Sequence, residues 1–185
     1  YLLDIYNKAG ETDPDTIKSN RLRIIKVCKR VRSDAKAFLE NNPMPSYNMD
    51  NFITQAINHK LIEAMVPGDI VSEIDINSCY WTLAYHRGHI SLDTFREFLP
   101  FKQERLIGLG AQAKVKYQKI FVRGRQKDEI KLRDKFTPFF FSLICDTYNI
   151  YHEIDMAIGR KIFYFKTDAF WVPPSFNIEN KIGAI

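Results

Sequence analysis

The chain has 185 residues, of which 45% are hydrophobic, and its 27 basic and 22 acidic residues give a formal net charge of +5. This apolar fraction is large enough for a packed core and excludes a disordered chain. No apolar run approaches the roughly 20 residues that cross a bilayer. Three widely separated cysteines exclude a disulfide framework and favour reduced thiols in a cytosolic compartment.

The first predicted element is a basic helix over residues 15–40, which begins at Pro14. Its residues 18–36 hold eight basic side chains and one acidic side chain. Such a strip is either a solvated helix face or a contact surface for a phosphate backbone. The candidate nucleic-acid contacts on this helix are Arg21, Arg23, Lys26, Lys29 and Arg30.

The next segments predict a change of organisation near residue 67. A Pro-rich break at 43–45 is followed by a second amphipathic helix over 49–65, and a Pro-Gly pair then ends that helix. We therefore predict a basic, helical N-terminal extension over residues 1–67 and a separate domain over residues 68–185.

The second domain alternates short β-rich runs with helices. A strand over 70–76 is followed by a helix that Asn77 or Ser78 caps, and Gly88 ends this helix. The further predicted elements are a helix at 91–99, a helix at 102–118, a strand at 119–123, a charged surface turn at 123–135, a long apolar helix at 138–158 and a hairpin at 161–172. This order predicts an α+β fold, an antiparallel sheet with helices packed on one face.

Two carboxylates are the best candidates for functional residues. Asp75 and Asp168 each lie at the end of an apolar, β-rich run. A carboxylate there is costly unless it is paired, hydrogen-bonded or bound to a metal, although two turn-forming aspartates are also consistent with the pattern. Mg²⁺ is commonly bound by one or two carboxylates together with substrate phosphates. Two such ions can support in-line phosphoryl transfer.

The sequence around both aspartates resembles a known family. The segment Asp75-Ile-Asn-Ser-Cys-Tyr80 resembles the first palm motif of family B DNA polymerases, Asp-x-Asn-Ser-x-Tyr. The segment Phe163-Tyr-Phe-Lys-Thr-Asp168 and the apolar run after it resemble the later palm motif, which contains Asp-Thr-Asp. The resemblance covers about residues 68–174. The order of elements is also that of the family: a strand that ends in Asp75, a helix, a helical middle segment, a long helix and a hairpin that contains Asp168. The resemblance implies a palm-like domain.

The resemblance also implies roles for individual residues. Asp75 and Asp168 would hold two Mg²⁺ (or Mn²⁺) ions, and the carbonyl of Ile76 would complete a metal shell. Backbone amides at Asn77 and Ser78 would face the triphosphate of a dNTP, and Tyr80 would lie under its sugar. The further implied contacts are Lys102 or Arg105 with the incoming phosphates, and Lys114, Lys116 and Lys119 with the DNA backbone.

The activity implied is metal-dependent transfer of nucleotides from dNTPs to a nucleic-acid 3′ end. The implied partners are DNA and dNTPs. The lack of a long apolar run predicts no membrane partner. Because the sequence begins at Tyr1 rather than Met and stops at Ile185, we also expect a missing domain or partner protein. The implied setting is the cytoplasm of a bacterial or phage-infected host cell.

The sequence departs from the family at the second motif and between the motifs. Lys166 and Ala169 replace its first Asp and its Ser, and the family's middle motif is missing. The interval of 93 residues between the aspartates implies reduced fingers. Two alternatives follow. One is a catalytically degenerate palm in which Lys166 neutralises Asp168. The other is a non-enzymatic DNA-binding module, in which residues 78–99 form a helix–turn–helix beside the basic helix.

Overall fold

The computed structural model describes residues 14–174 and has an α+β fold. The predicted fold class is confirmed, because an antiparallel sheet has a long helix packed on one face. The α-helices are α1 (Pro14–Asn41), α2 (His59–Glu63), α3 (Cys79–His86), α4 (Leu92–Phe98), α5 (Lys102–Gly110) and α6 (Thr137–Ala157). The strands are β1 (Gln55–Ile57), β2 (Ser72–Asp75), β3 (Val115–Val122), β4 (Arg125–Arg133), β5 (Tyr164–Lys166) and β6 (Ala169–Val172).

Contacts divide the chain into two compact units, each assembled from two stretches. Within the described residues, unit 1 comprises residues 14–45 and 81–140, and unit 2 comprises residues 46–80 and 141–174. This division differs from the continuous boundary predicted at residue 67. The reason is long-range pairing, because β1 and β2 obtain their partner strands from the C-terminal part of the chain.

Unit 2 contains a four-stranded antiparallel sheet in the order β1-β5-β6-β2. Alternate residues of β5 and β6 point to opposite faces, and Phe165, Phe170 and Val172 form the buried face. Ile154 and Ile158, at the C-terminal end of the long helix, complete the same core cluster. One face of the sheet is therefore covered, and the other carries the polar residues that define the candidate site.

The helix predicted over 49–65 is wrong. A 3₁₀ turn occupies Met49–Asn51, β1 follows, and α2 is a five-residue helix. Asn58 separates the last two elements, because its side chain accepts a hydrogen bond from Leu61 N–H at 3.3 Å and caps α2. Tertiary pairing of β1 with β5 overrides the helical periodicity of this segment.

Strands β3 and β4 form a two-stranded ribbon in unit 1. Their turn, Arg123-Gly124, has positive φ at both residues, as a two-residue type I′ hairpin requires. The predicted helix over 102–118 instead ends at Gly110, and the predicted surface turn over 123–135 contains β4. The strand pattern of this segment was concealed by its dense charges, because only Ile130 and Leu132 show the alternation of apolar and polar residues that is typical of a strand.

The helices of unit 1 pack closely where α1 crosses α5. Val27 and Val31 are fully buried on α1. Gly108 of α5 faces them, and a Cβ added there would lie 2.8 Å from Cγ2 of Val27. The missing side chain therefore allows the close approach of these two helices.

Candidate active site

The sheet of unit 2 brings the two predicted aspartates together at one of its ends, Asp75 on β2 and Asp168 in the turn before β6. Asp75 is the last residue of β2 and pairs with Ala169, the first residue of β6. One step further, Ile76 N–H donates to the backbone carbonyl of Asp168 at 3.0 Å. Adjacent strands lie about 4.8 Å apart, so residues 93 positions apart in sequence become neighbours at one end of the sheet.

A tight turn holds Asp168 between β5 and β6. Thr167 has a φ of 55°, and its N–H donates to the carbonyl of Thr54 at 2.7 Å. Its hydroxyl oxygen also lies 2.9 Å from Oδ1 of Asp168. These contacts orient the turn, and they leave Asp168 only partly buried, so that its carboxylate is accessible.

The segment between β2 and α3 carries the other residues that the resemblance implied. The carbonyl of Ile76 accepts a hydrogen bond from Cys79 N–H at 3.1 Å, which leaves one lone pair for a further ligand. Ser78 has a φ of 56°, and its hydroxyl donates to Oδ1 of Asn77 at 3.0 Å. Tyr80 lies partly buried in the first turn of α3.

Two groups at the start of α3, the thiol of Cys79 and the phenol of Tyr80, have raised pKa values. Burial raises the pKa of the Cys79 thiol to about 11 despite a lowering hydrogen bond with Thr147, and Asp168 and Asp75 raise it further. Burial also raises the pKa of Tyr80 to about 12, and Asp168 adds to this rise. Burial is the larger cause of both shifts, and the smaller contributions of the aspartates show that their negative charge reaches the start of α3. That negative charge makes this end of the sheet suited to a positive ligand.

The raised pKa of Tyr80 predicts a loss of stability at high pH. In the folded protein the pKa of this phenol is about 12, whereas the ordinary pKa of tyrosine is 10.0. The folded state therefore binds more protons in this window, and its stability falls as the pH rises from 10 to 12. We expect the melting temperature of Tyr80→Phe to fall less steeply over that range than that of the wild type.

The matched control is Tyr117→Phe, the same substitution at an exposed position of the ribbon. Circular dichroism melts at half-unit pH steps measure both variants. Parallel slopes for Tyr80→Phe and the wild type would contradict the prediction.

Pairing register places a row of residues across the open face of the sheet. Paired residues in an antiparallel sheet have side chains on the same face, so Asp75, Ala169, Lys166 and Gln55 form one row. Because Ala169 is small, Asp75 and Lys166 flank a gap, with their Cα atoms about 10 Å apart across two strand spacings. Lys166 therefore lies on the same face as the candidate metal ligand Asp75.

The adjacent row is aromatic and acidic. It consists of Glu73, Trp171, Tyr164 and Ile57. The rings of Trp171 and Tyr164 are stacked, with their centroids 4.9 Å apart. In the sequence, this aromatic run was evident only as part of the second motif. The alternation within residues 163–172 indicates strands. The face of the sheet on which the rings lie depends on the strand register, which the sequence alone did not define.

The donor set at Asp75 and Asp168 fits a hard divalent cation. In residues 14–174, no group of three or more His, Cys, Asp or Glu side chains could hold a metal ion. Two carboxylates and a backbone carbonyl nevertheless fit Mg²⁺, which keeps several waters and takes ligands from substrate phosphates. A metal at this site would therefore need its substrate to complete the coordination shell.

The other predicted nucleotide contacts lie in unit 1. Lys102 is exposed at the first position of α5. Arg105 is 8% exposed, and its burial lowers the pKa of its guanidinium. The predicted contact of Arg105 with incoming phosphates stays a prediction, and its buried position argues against it.

The basic residues of α1 differ in what they contact. Arg21 and Lys29 are exposed, whereas Arg23 donates to Glu104 at 3.0 Å and lies over the ring of Phe101. Lys26 and Arg30 both pair with Glu97. The positive charge that α1 presents to solvent is therefore smaller than its sequence indicated.

The three lysines of the ribbon also differ. Lys114 is exposed before β3, and Lys119 lies 3.7 Å from Glu129 across the ribbon. Lys116 pairs with Leu132 in the strand register, and its side chain lies outside the described part of the structure.

Comparison of the chain with protein-family models, with curated proteins and with solved structures gives no significant match. The candidate site is therefore judged on its own geometry. A search of residues 14–174 also finds no helix with the length and apolar content to cross a membrane.

Proposed function

We propose that this chain is a DNA polymerase-like nucleotidyltransferase that acts at Asp75 and Asp168. The observation that supports it is the adjacency of the two aspartates. They come from distant parts of the sequence, and the hydrogen bond from Ile76 N–H to the Asp168 carbonyl joins their strands. The negative charge of Asp168 acts on Cys79 and Tyr80, that of Asp75 acts on Cys79, and this charge suits a cation. The exposed position of Asp75 leaves room for a substrate.

In the proposed reaction, the 3′ oxygen of a nucleic acid forms a bond to the α-phosphate of a dNTP, the bond between the α- and β-phosphates breaks, and pyrophosphate leaves. Asp75 and Asp168 would hold Mg²⁺ or Mn²⁺, which when bound neutralises charge on the transferred phosphoryl group and on the leaving oxygen. Backbone amides of Asn77 and Ser78 would receive the triphosphate, since unpaired N–H groups at a helix start attract anions. The ring of Tyr80 would support the sugar. DNA and dNTPs are the proposed partners, and the proposed setting is the cytoplasm of a bacterial or phage-infected cell.

A second candidate is a catalytically degenerate palm that binds DNA. The observation that favours it is the position of Lys166, which shares the open face with Asp75 and is separated from it by Ala169 alone. The ammonium group of Lys166 could take the place of a metal ion, because a nearby positive charge stabilises a carboxylate. In this case Lys166→Asp would create metal binding that the wild type lacks.

Calorimetric titration separates the two candidates. Mn²⁺ is titrated into the wild type with and without a dNTP, followed by primer extension on a short primer–template. Joint binding of metal and nucleotide, with extension, supports the nucleotidyltransferase. If the wild type binds neither ligand but binds DNA, the catalytic proposal fails and the degenerate palm is retained.

A further inference from the structure

The positive charge of this chain is concentrated in the ribbon and its flanks. Residues 114–135 contain nine basic and three acidic side chains, a net charge of +6, whereas the whole chain has +5. The remaining residues therefore carry a net charge of −1. The ribbon shares this character with α1, whose residues 18–36 hold eight basic side chains and one acidic side chain. Such dense positive charge is typical of an electrostatic binding surface rather than of general solubility.

The ribbon itself presents its two strands to solvent. All nine residues of β4 are exposed, and the rings of Tyr117 and Phe121 on β3 are 56% and 60% exposed. An isolated two-stranded ribbon is only marginally stable in water. At about 3.4 Å per residue its strands extend about 30 Å, and a ribbon of this kind fits the major groove of a nucleic-acid duplex.

The foot of the ribbon is anchored to α1 by Asp134. Its carboxylate pairs with Arg32 through Oδ2 and accepts Phe136 N–H at 3.1 Å through Oδ1. Its backbone N–H donates to the carbonyl of Lys114 at 3.1 Å, so the base of the ribbon is closed. The single acid at this place is therefore engaged in internal contacts.

A cleft of about 550 Å³ lies at this junction, within unit 1. We call it the basic cleft. Its charged lining consists of Arg32, Lys36, Arg133, Lys135 and Asp134. Four positive charges against one negative charge leave a net charge of +3. The guanidinium of Arg32 and the ammonium of Lys135 also lie over the ring of Phe136, at 5.6 and 5.0 Å from its centroid.

We infer that the basic cleft binds a phosphate group of a nucleic-acid backbone and that the ribbon lies along the duplex that carries it. The cleft joins the two most basic elements of the chain, α1 and the ribbon, into one surface. A duplex is favoured over an anionic membrane, because the strand register pairs Val115, Tyr117 and Leu132 each with a basic residue, which interrupts the exposed apolar surface. This inference extends the DNA partner of the proposed function and is independent of catalysis at Asp75.

Salt-dependent binding tests the inference. The anisotropy of a labelled 20-base-pair duplex is measured with the full chain at several salt concentrations, without divalent metal. The binding constant K falls as the salt concentration rises, and each lost phosphate contact reduces the magnitude of the slope of log K against log salt by about 0.9. We expect Lys36→Gln/Lys135→Gln to reduce the magnitude of this slope by about 0.9, for the one phosphate that the cleft binds, and to weaken binding equally for unrelated sequences.

The matched control is Lys60→Gln/Lys161→Gln, which removes the same charge from exposed positions of unit 2. Its slope should stay close to that of the wild type. Thermal melts of all variants check folding, and Arg125→Gln at the ribbon tip gives an independent loss of slope if a cleft variant unfolds.

Three results would overturn the inference. The first is a wild type that does not bind the duplex, and the second is an equal loss of slope in the cleft and control variants. The third is loss of binding to phosphatidylserine vesicles in the cleft variant while duplex binding is unchanged. Direct binding of inorganic phosphate at millimolar concentration in calorimetry, in a wild type that does not bind the duplex, would instead assign the cleft to a free phosphate. Failure of catalysis with intact duplex binding would affect the proposed function alone.

Discussion

Asp75→Asn and Asp168→Asn are each expected to reduce primer extension by about a thousandfold. Asparagine keeps the size of the side chain and removes the charge that would hold a divalent cation. The charge stabilisation supplied by a bound metal is worth several kcal/mol in the transition state. A loss of about 4 kcal/mol corresponds to about a thousandfold in rate. Single-turnover extension of a labelled primer measures this loss directly.

Glu73→Gln is the matched control for this experiment. Glu73 lies two residues before Asp75 on β2, on the same open face, and it is exposed. If general negative charge on the face were responsible, all three variants would lose activity alike. We expect Glu73→Gln to retain activity within a few-fold, together with the joint binding of metal and nucleotide. Full activity of Asp75→Asn or Asp168→Asn would rule out the proposed site.

The second large effect is expected for Gly108→Ala, at the crossing of α1 and α5. The new methyl group would meet two γ-carbons of Val27, at 2.8 and 3.3 Å. Val27 is fully buried and β-branched, so its side chain cannot rotate away without strain. Overpacking of this kind costs about 1–3 kcal/mol. Urea denaturation at neutral pH gives the change in the free energy of unfolding.

Gly110→Ala is the control on the same helix. A Cβ at Gly110 meets nothing within 4 Å, and its backbone is helical, with a φ of −61°. Alanine there should stabilise the protein by about 0.5–1 kcal/mol, because it lowers the entropy of the unfolded chain. Val27→Ala should rescue part of the loss in Gly108→Ala, since the two positions are in contact. Equal effects at both glycines would show that α1 and α5 do not approach closely.

Local signals in the sequence predicted much of the framework around the site. The Pro14 start signal, the apolar run before Asp75 and the apolar helix that follows residue 137 all correspond to elements of the structure. In each case the residues that define the element are close together in sequence. The segments predicted wrongly, 49–65 and 123–135, form strands whose partners were not evident from local periodicity.

The candidate site was predictable only in part for the same reason. Motif spacing identified Asp75 and Asp168, and the register of β2 against β6 brings them together. The alignment of Lys166 with Asp75 across Ala169 depends on three strands at once, and no local pattern specifies such a register. The basic cleft was missed because it depends on a long-range contact. The ion pair between Arg32 and Asp134 joins residues about 100 positions apart and brings Arg32 and Arg133 to the same cleft.

The division of both units into separate stretches has a consequence for synthesis on the ribosome. Strand β2 ends at Asp75, yet its partner β6 begins only at Ala169. At about 5–20 residues per second, β2 waits about 5–20 s for that partner to be translated. During this interval the exposed side chains of Ile70 and Val71 and the unpaired edge of β2 are open to aggregation. We therefore expect this chain to depend on chaperones during translation more than its modest size suggests.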